Sequence, residues 1–77
     1  MDTVRVDQLK AGDIVILDGY KFQVTSIAED GANVFGDPLF SASIEPKDNE
    51  AARHLTAHRY GNRVKWQGYL RVKKEAD

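Results

Sequence analysis

The sequence predicts an all-β fold: a single small antiparallel barrel or strongly bent sheet of five to six strands. Short runs of β-branched and aromatic residues recur between turn signals built from Gly, Pro, Asn and Asp. Asp18-Gly19 joins two of these runs, and both residues tolerate the positive φ of a tight hairpin turn. The run Ile14 to Leu17 does not alternate, which indicates a strand covered on both faces. A chain of 77 residues supports one core, so residues 1–77 are expected to form one β-barrel domain.

The N-terminal third predicts a first strand, a short turn and then the hairpin. Residues 3–7 alternate between apolar and polar side chains, as a half-buried strand does. A loop or a single helical turn follows and is expected to place Leu9 in the core. The second hairpin strand covers 20–27, and Ile27 breaks its alternation. A bulge near Ser26 is therefore expected, as at the corner of a small barrel.

The middle of the chain predicts a turn, an interrupted strand and an exposed loop. Residues 29–33 read as the turn, and Val34-Phe35 follow as strand residues. Pro38 has no N–H to donate to a ladder, so the strand is interrupted there and resumes over 39–44 as an edge strand. Residues 45–50 are polar, contain a proline and predict an exposed loop.

The segment 50–60 has two competing interpretations. A helix is favoured by Asp48 or Asn49 as an N-terminal cap, by three alanines and by Gly61 as a terminator. A strand is favoured by the alternation of 53–60. Gly61-Asn62 would form a two-residue hairpin turn that pairs this strand with the next one. The strand is the preferred prediction for 53–60, and the helix is the alternative.

Two turns together set the predicted register of the last three strands. The turn at 61–62 would place Ala57 opposite Trp66, and a three-residue turn at 67–69 would place Trp66 opposite Leu70. With both turns, the same apolar side chains face the core, and this agreement is why the strand prediction is preferred. The predicted core consists of Val4, Val6, Leu9, Ile14, Ile16, Phe22, Val24, Leu55, Val64, Trp66, Leu70 and Val72.

Charge is distributed unevenly along the chain. Residues 1–38 hold seven acidic and three basic side chains, a net charge of −4, whereas residues 39–77 hold five acidic and eight basic ones, a net charge of +3. In the predicted meander Lys65 lies opposite Arg71, and Arg63 lies opposite Lys73. Like charges in this position are destabilising. The face is either solvated or a binding surface for an anionic partner. The candidate binding residues on this basic outer face are His54, His58, Tyr60, Arg63, Lys65, Arg71 and Lys73.

Catalytic and cofactor chemistry finds little support in the sequence. The absence of cysteine excludes disulfides and thiolate zinc sites. Ser41 and Ser43 lie outside any nucleophile-elbow pattern, and no glycine-rich phosphate loop is present. His54 and His58 would share one helix face and could hold a metal, but on a strand they lie roughly 13 Å apart. We therefore expect neither an enzyme nor a cofactor, with metal binding as an alternative if 50–60 is helical.

The stretch Leu9-Lys10-Ala11-Gly12-Asp13-Ile14-Val15, followed by Asp18-Gly19 and Phe22-x-Val24-x-x-Ile27, resembles the opening of several small all-β modules. It is similar to the entry of Hint and intein domains and to small Src-homology-3-like β-barrels of phage-encoded and bacterial accessory proteins. The Hint resemblance does not carry self-splicing, because the chain has no cysteine. The barrel resemblance covers about a quarter of the chain and implies an interaction module.

The functional expectation is a small non-catalytic binding module, most simply one for protein–protein interaction, such as a phage factor acting on a host protein. The alternative is a nucleic-acid-binding module that uses the basic outer face of the strands within 53–74. The N-terminus has neither the basic start nor the apolar stretch of a signal peptide, and no apolar run is long enough to span a bilayer. A soluble cytoplasmic protein without a membrane partner is therefore expected, in the host cytoplasm if phage-encoded.

Overall fold

The structure, a computed structural model, describes residues 2–57 and 62–75. Strands account for most of the described residues, in line with the alternating patterns and turn signals of the sequence. The elements in chain order are β1 (Asp2–Arg5), a 3₁₀ helix (Val6–Gln8), β2 (Ile14–Leu17), β3 (Tyr20–Ala32), β4 (Pro38–Pro46), α1 (Asn49–Ala57), β5 (Arg63–Gln67) and β6 (Arg71–Lys74).

The six strands form one antiparallel sheet in the order β1-β6-β2-β3-β4-β5. The last strand of the chain inserts between β1 and β2, whereas β5 lies at the other end of the sheet. Only residues 68–70 join β5 to β6, so the sheet has to bend strongly to bring the two strands within reach of this connection. In the described residues the sheet does not close into a barrel, because β5 pairs with β4 alone. The predicted fold class is confirmed in its strongly bent, six-stranded form.

The structure confirms the predicted hairpin turn, bulge and burial of Leu9, whereas the first strand ends at Arg5, so Val6 and Asp7 of the strand predicted over 3–7 belong to the 3₁₀ helix. Asp18 and Gly19 adopt positive φ values of 54° and 85°, and Leu17 lies opposite Tyr20 as a two-residue turn requires. The pairing of β3 with β4 shifts register between Val24 and Ser26, which is the predicted bulge. The 3₁₀ helix that follows β1 leads into Leu9, which is buried as expected.

The middle of the chain differs from the prediction in three places, one of which is the loop expected over 45–50: residues 45–46 belong to β4 and residues 49–50 to α1. β3 continues through the expected turn at 29–33 to Ala32, and the turn lies at 33–37, so Val34 and Phe35 are loop residues. A side-chain network centred on Asn33 stabilises this later turn. β4 lies between β3 and β5, so the prediction of an edge strand over 39–44 is wrong.

The prediction of a strand over 53–60 is wrong for 53–57, which belong to α1; residues 58–60 lie outside the described residues. The Asp48 carboxylate accepts the N–H of Ala51 at 2.8 Å and caps the first turn. Ala51 is fully buried, and its small side chain allows the helix to pack closely on β3 and β4. The predicted Asp48 cap is therefore confirmed. The alternating segment did not become a strand, because β5, its predicted partner, pairs with β4.

The predicted pairing of the last two strands is also wrong. β5 pairs with β4, and β6 pairs with β1 and β2, so Lys65 does not lie opposite Arg71, nor Arg63 opposite Lys73. The turn that follows β5 acts as a corner that carries the chain to the far side of the sheet. Gly68 is buried at this corner, and a Cβ there would lie 2.8 Å from the ring of Phe40.

The core confirms most of the predicted residues and corrects three. Ile14 and Ile16 are only half-buried, and Val15 between them is fully buried because it lies opposite the inward-facing Phe22. Leu70 is 40% exposed, and the side chain of Leu55 lies outside the described residues. The buried cluster is formed by Val6, Leu9, Val15, Phe22, Val24, Ile44, Ala51 and Val72, with Val4, Val64 and Trp66 among the half-buried residues packed against it.

Candidate functional site

A groove of about 710 Å³ runs along the open side of the bent sheet. β5 lines one side of it, and β6 with the end of β2 lines the other. The volume lies within the range of about 300–1,000 Å³ that is typical of ligand pockets. We call this feature the basic groove; its lining includes Ile16, Leu17, Asp18, Phe22, Ile44, His54, Arg63, Val64, Lys65, Trp66, Arg71, Val72 and Lys73.

Four exposed cations line the basic groove, two from each side. Arg63 and Lys65 project from β5, and Arg71 and Lys73 project from β6. Val64 and Trp66 on β5 and Val72 on β6 are directed inward between these cations, so the period-two alternation of each strand places Arg63, Lys65, Arg71 and Lys73 on the outer face. Of these four cations, Lys65 forms an ion pair, with Asp30, and the charge of Arg63 also acts on that carboxylate; Arg71 and Lys73 form no ion pair with the described residues. The groove therefore carries positive charge that the fold leaves uncompensated.

The ion-paired cation, Lys65, belongs to a row of three polar side chains across β3, β4 and β5. The Ser41 hydroxyl donates a hydrogen bond to the Asp30 carboxylate at 2.8 Å, and Lys65 Nζ lies 3.7 Å from the same carboxylate. The Ser41 hydrogen bond and then the positive charge of Lys65 lower the pKa of Asp30 below its ordinary value. Asp30 thus remains ionised and neutralises part of the charge on the β5 side.

The bottom of the basic groove is apolar. Phe22, Ile44 and Val72 line it and belong to the buried core. Val64 and Trp66 extend this lining along β5 and are half-buried. An apolar bottom with cations at the margins suits a ligand that is itself apolar on one face and anionic on the other.

One margin of the basic groove is a strand edge without a partner in the described residues. The backbone carbonyl of Asn62 accepts the N–H of Ile44 at 2.8 Å, and the N–H of Gly68 donates to the carbonyl of Pro38, the first residue of β4, at 2.9 Å. In an antiparallel pair these contacts fall on every second residue, so the residues between them direct their backbone groups away from β4. The backbone groups at this open edge are those of Arg63, Lys65 and Gln67.

His54 lies at the end of the basic groove, in a contact between α1 and the β2–β3 turn. Its imidazole stacks on Tyr20 with ring centroids 4.4 Å apart, and Nε2 lies 3.2 Å from the Asp18 carboxylate. These contacts attach the helix to the hairpin and restrain the imidazole. Among the described residues no group of three or more potential metal ligands occurs.

The structure brings together five of the seven candidate binding residues. His54, Arg63, Lys65, Arg71 and Lys73 all line the basic groove, whereas His58 and Tyr60 lie outside the described residues. The predicted cross-strand pairs Lys65–Arg71 and Arg63–Lys73 do not form, because β5 and β6 are not paired with each other. The sequence analysis missed Asp18, Ile16 and Leu17, whose position at the groove follows only from the insertion of β6 beside β2.

No family model matches the chain, and a search of curated protein sequences found no match. In the described ranges, no helix combines the length and the apolar character that crossing a membrane requires.

Proposed function

We propose that the protein is a non-catalytic binding module that holds an extended acidic segment of a partner protein in the basic groove. The observation that carries this proposal is the open edge of β5 beside an apolar bottom and four exposed cations. An extended peptide can add to such an edge as a further strand, with main-chain hydrogen bonds for affinity and side-chain contacts for specificity.

The alternation of side chains on an added strand defines the ligand. One face of the strand would contact the apolar bottom, and the other would lie near the cations of the margins. A segment in which apolar and acidic residues alternate satisfies both faces. Nucleic acid fits this groove less well, because Trp66 packs against the core and Asp30 lies beside Lys65. Base stacking needs an exposed aromatic face, and carboxylates repel phosphate.

The Src-homology-3-like assignment and the phage-encoded or bacterial setting belong to this proposal as well. The strongly bent antiparallel sheet supports the first. The setting, with a host protein as the partner in the host cytoplasm, rests on the sequence resemblance.

A fluorescence-anisotropy titration tests the proposal with an eight-residue peptide in which valine alternates with glutamate. We expect a dissociation constant below about 100 μM at low salt, weakening as salt screens the charges. The double variant R71E/K73E should weaken binding by about tenfold or more, because two attractive contacts become repulsive. The matched control K10E/K47E has the same change in net charge at exposed positions outside the groove and should bind as the wild type does.

Two N-methylated peptides test the strand addition itself. Methylation at every second residue removes the N–H donors from one edge of the peptide and leaves those on the other edge. We expect one of the two peptides to lose binding and the other to retain it. Equal binding of both, or tight binding of single- or double-stranded oligonucleotides where the peptide does not bind, would refute the proposal.

A further inference from the structure

The β3–β4 hairpin ends in two large apolar side chains that the fold does not use. Val34 is 93% exposed and Phe35 is 85% exposed. They are adjacent at the end of a hairpin whose strands, β3 and β4, expose no other large apolar side chain. We call residues 33–37 the hairpin tip.

The hairpin tip is held in one conformation by polar contacts that leave the two apolar side chains outside. The Asn33 side-chain oxygen accepts the backbone N–H groups of Phe35 at 2.9 Å and of Asp37 at 3.0 Å. The Asn33 amide donates to the Asp37 carboxylate at 3.3 Å, and Gly36 has a φ of 85°. Residues 34 and 35 contribute only backbone to this turn, so its formation does not require apolar side chains there. A preordered loop loses little conformational entropy when it binds.

The charges around the hairpin tip indicate what it contacts. Residues 28–46 contain four acidic side chains and no basic one. An anionic membrane surface would repel such a segment. A matching site is apolar at its bottom and basic at its margins. The basic groove of this same protein has that chemistry, since residues 62–74 contain five basic side chains and no acidic one.

The backbone edges are complementary as well. Beyond Val24, β3 pairs only with β4 in the described residues, so its other edge is open. β5 is likewise open on the side of the basic groove. Two open edges from different copies can pair with each other through main-chain hydrogen bonds.

From this complementarity we propose that the hairpin tip of one copy docks in the basic groove of a second copy. The inference rests on the proposed function of the groove and names the second copy's acidic hairpin as an occupant. Phe35 and Val34 would contact the apolar bottom, and Asp37 and Glu29 would lie nearest the cations, since Asp30 pairs with Lys65 of its own copy and Glu45 lies at the far end of the hairpin. The contact is heterologous, so it closes into a dimer only if two copies exchange tips, and otherwise extends into chains.

Weak, concentration-dependent association is expected, because a buried Phe side chain contributes about 150–250 Å² of the roughly 1,200–2,000 Å² that stable interfaces bury. Sedimentation equilibrium from low micromolar to millimolar concentration measures it. The tip variant V34S/F35S and the groove variant R71E/K73E should each weaken self-association by about tenfold or more, whereas K10E/K47E should not. The variant N33A should weaken it to a smaller extent, because it loosens the tip and leaves Phe35 in place.

A mixing experiment then decides between this contact and any other. The tip variant retains an intact groove, and the groove variant retains an intact tip, so an equimolar mixture should associate at concentrations at which each variant alone is still monomeric. A variant that carries all four substitutions should not associate with the tip variant. A wild type that stays monomeric at millimolar concentration, or a mixture that stays monomeric, would overturn the inference.

The failure of this inference is distinguishable from the failure of the proposed function. If the wild type is monomeric and still binds the alternating peptide, the groove takes another partner and only self-association is refuted. If R71E/K73E changes neither peptide binding nor self-association, the groove itself is refuted as a binding site. If the wild type stays monomeric and binds phosphatidylcholine vesicles, and V34S/F35S abolishes that binding, the self-association is refuted and the hairpin tip binds a lipid surface.

Discussion

Replacing Asp13 with alanine should destabilise the fold more than any other single change at an acidic residue. Asp13 is 7% exposed and is the one buried charged residue of the described chain. Its carboxylate accepts the backbone N–H of Lys10 at 3.0 Å and lies 3.2 Å from the Lys74 ammonium group. It therefore joins the entry to β2 with the end of β6.

The magnitude follows from these two contacts. A hydrogen bond to a charged group contributes about 1.5–3 kcal/mol, and its loss leaves the Lys10 N–H without this acceptor. The ion pair contributes about 1 kcal/mol or less, because the Lys74 side chain is 24% exposed and is solvated when the partner is lost. The expected loss for Asp13→Ala is about 2–4 kcal/mol. A chain of this length has a total stability of about 4–12 kcal/mol, so the loss is a large share of it.

Urea denaturation followed by circular dichroism measures this loss. Asp13→Asn is the matched variant, because its amide oxygen still accepts the Lys10 N–H while the charge is removed. We expect it to lose about 1 kcal/mol. A double-mutant cycle with Lys74→Met isolates the ion pair. If Asp13→Ala stays within about 0.5 kcal/mol of wild type, or if Asp13→Asn is equally damaging, the reasoning is wrong.

Two further predictions follow from other contacts. Trp66→Ala should lower the free energy of unfolding by about 2 kcal/mol, as measured by urea denaturation. This is less than the roughly 3–5 kcal/mol expected for a fully buried Trp, because Trp66 is half-buried. A loss under about 0.5 kcal/mol would show that Trp66 does not pack against the core. Asp30 has a lowered pKa, so its stabilising contribution is present above about pH 4 and is lost as pH falls through the folded-state pKa. Asp30→Asn and Ser41→Ala should both reduce the fall in the free energy of unfolding between about pH 4 and lower pH, measured by urea denaturation at a series of pH values. If neither variant changes this pH dependence, the Ser41 hydrogen bond and the Lys65 charge do not stabilise the ionised Asp30 carboxylate.

The sequence by itself was enough for those features that depend on neighbouring residues. The Asp18-Gly19 turn requires two adjacent residues that tolerate positive φ, and the structure has both. The bulge near Ser26 follows from a broken alternation within one strand. The two-residue turn also implies that Val15 lies opposite Phe22, so the burial of Val15 in place of its two neighbours could have been found from the sequence.

The candidate site was predictable in its composition and not in its arrangement. The alternation around Val64 and Val72 correctly placed the cations of both strands on the outer face. The proximity of these strands was inferred from a direct pairing that does not exist. They line one groove because the sheet bends until β5 faces β6 and the end of β2, and that bend depends on the whole chain.

Only the tertiary structure decided the partner of each late strand and the conformation of 49–57. The sequence predicts that β5 pairs with 53–60 and with the last strand, whereas in the structure β5 pairs with β4, which leaves the alternating segment after Asn49 without a strand to pair with. Its Asp48 cap and its alanines then favoured the helix. A turn or a cap is decided by interactions within a few residues, whereas strand pairing is a competition among segments far apart in the chain, which local sequence patterns do not resolve.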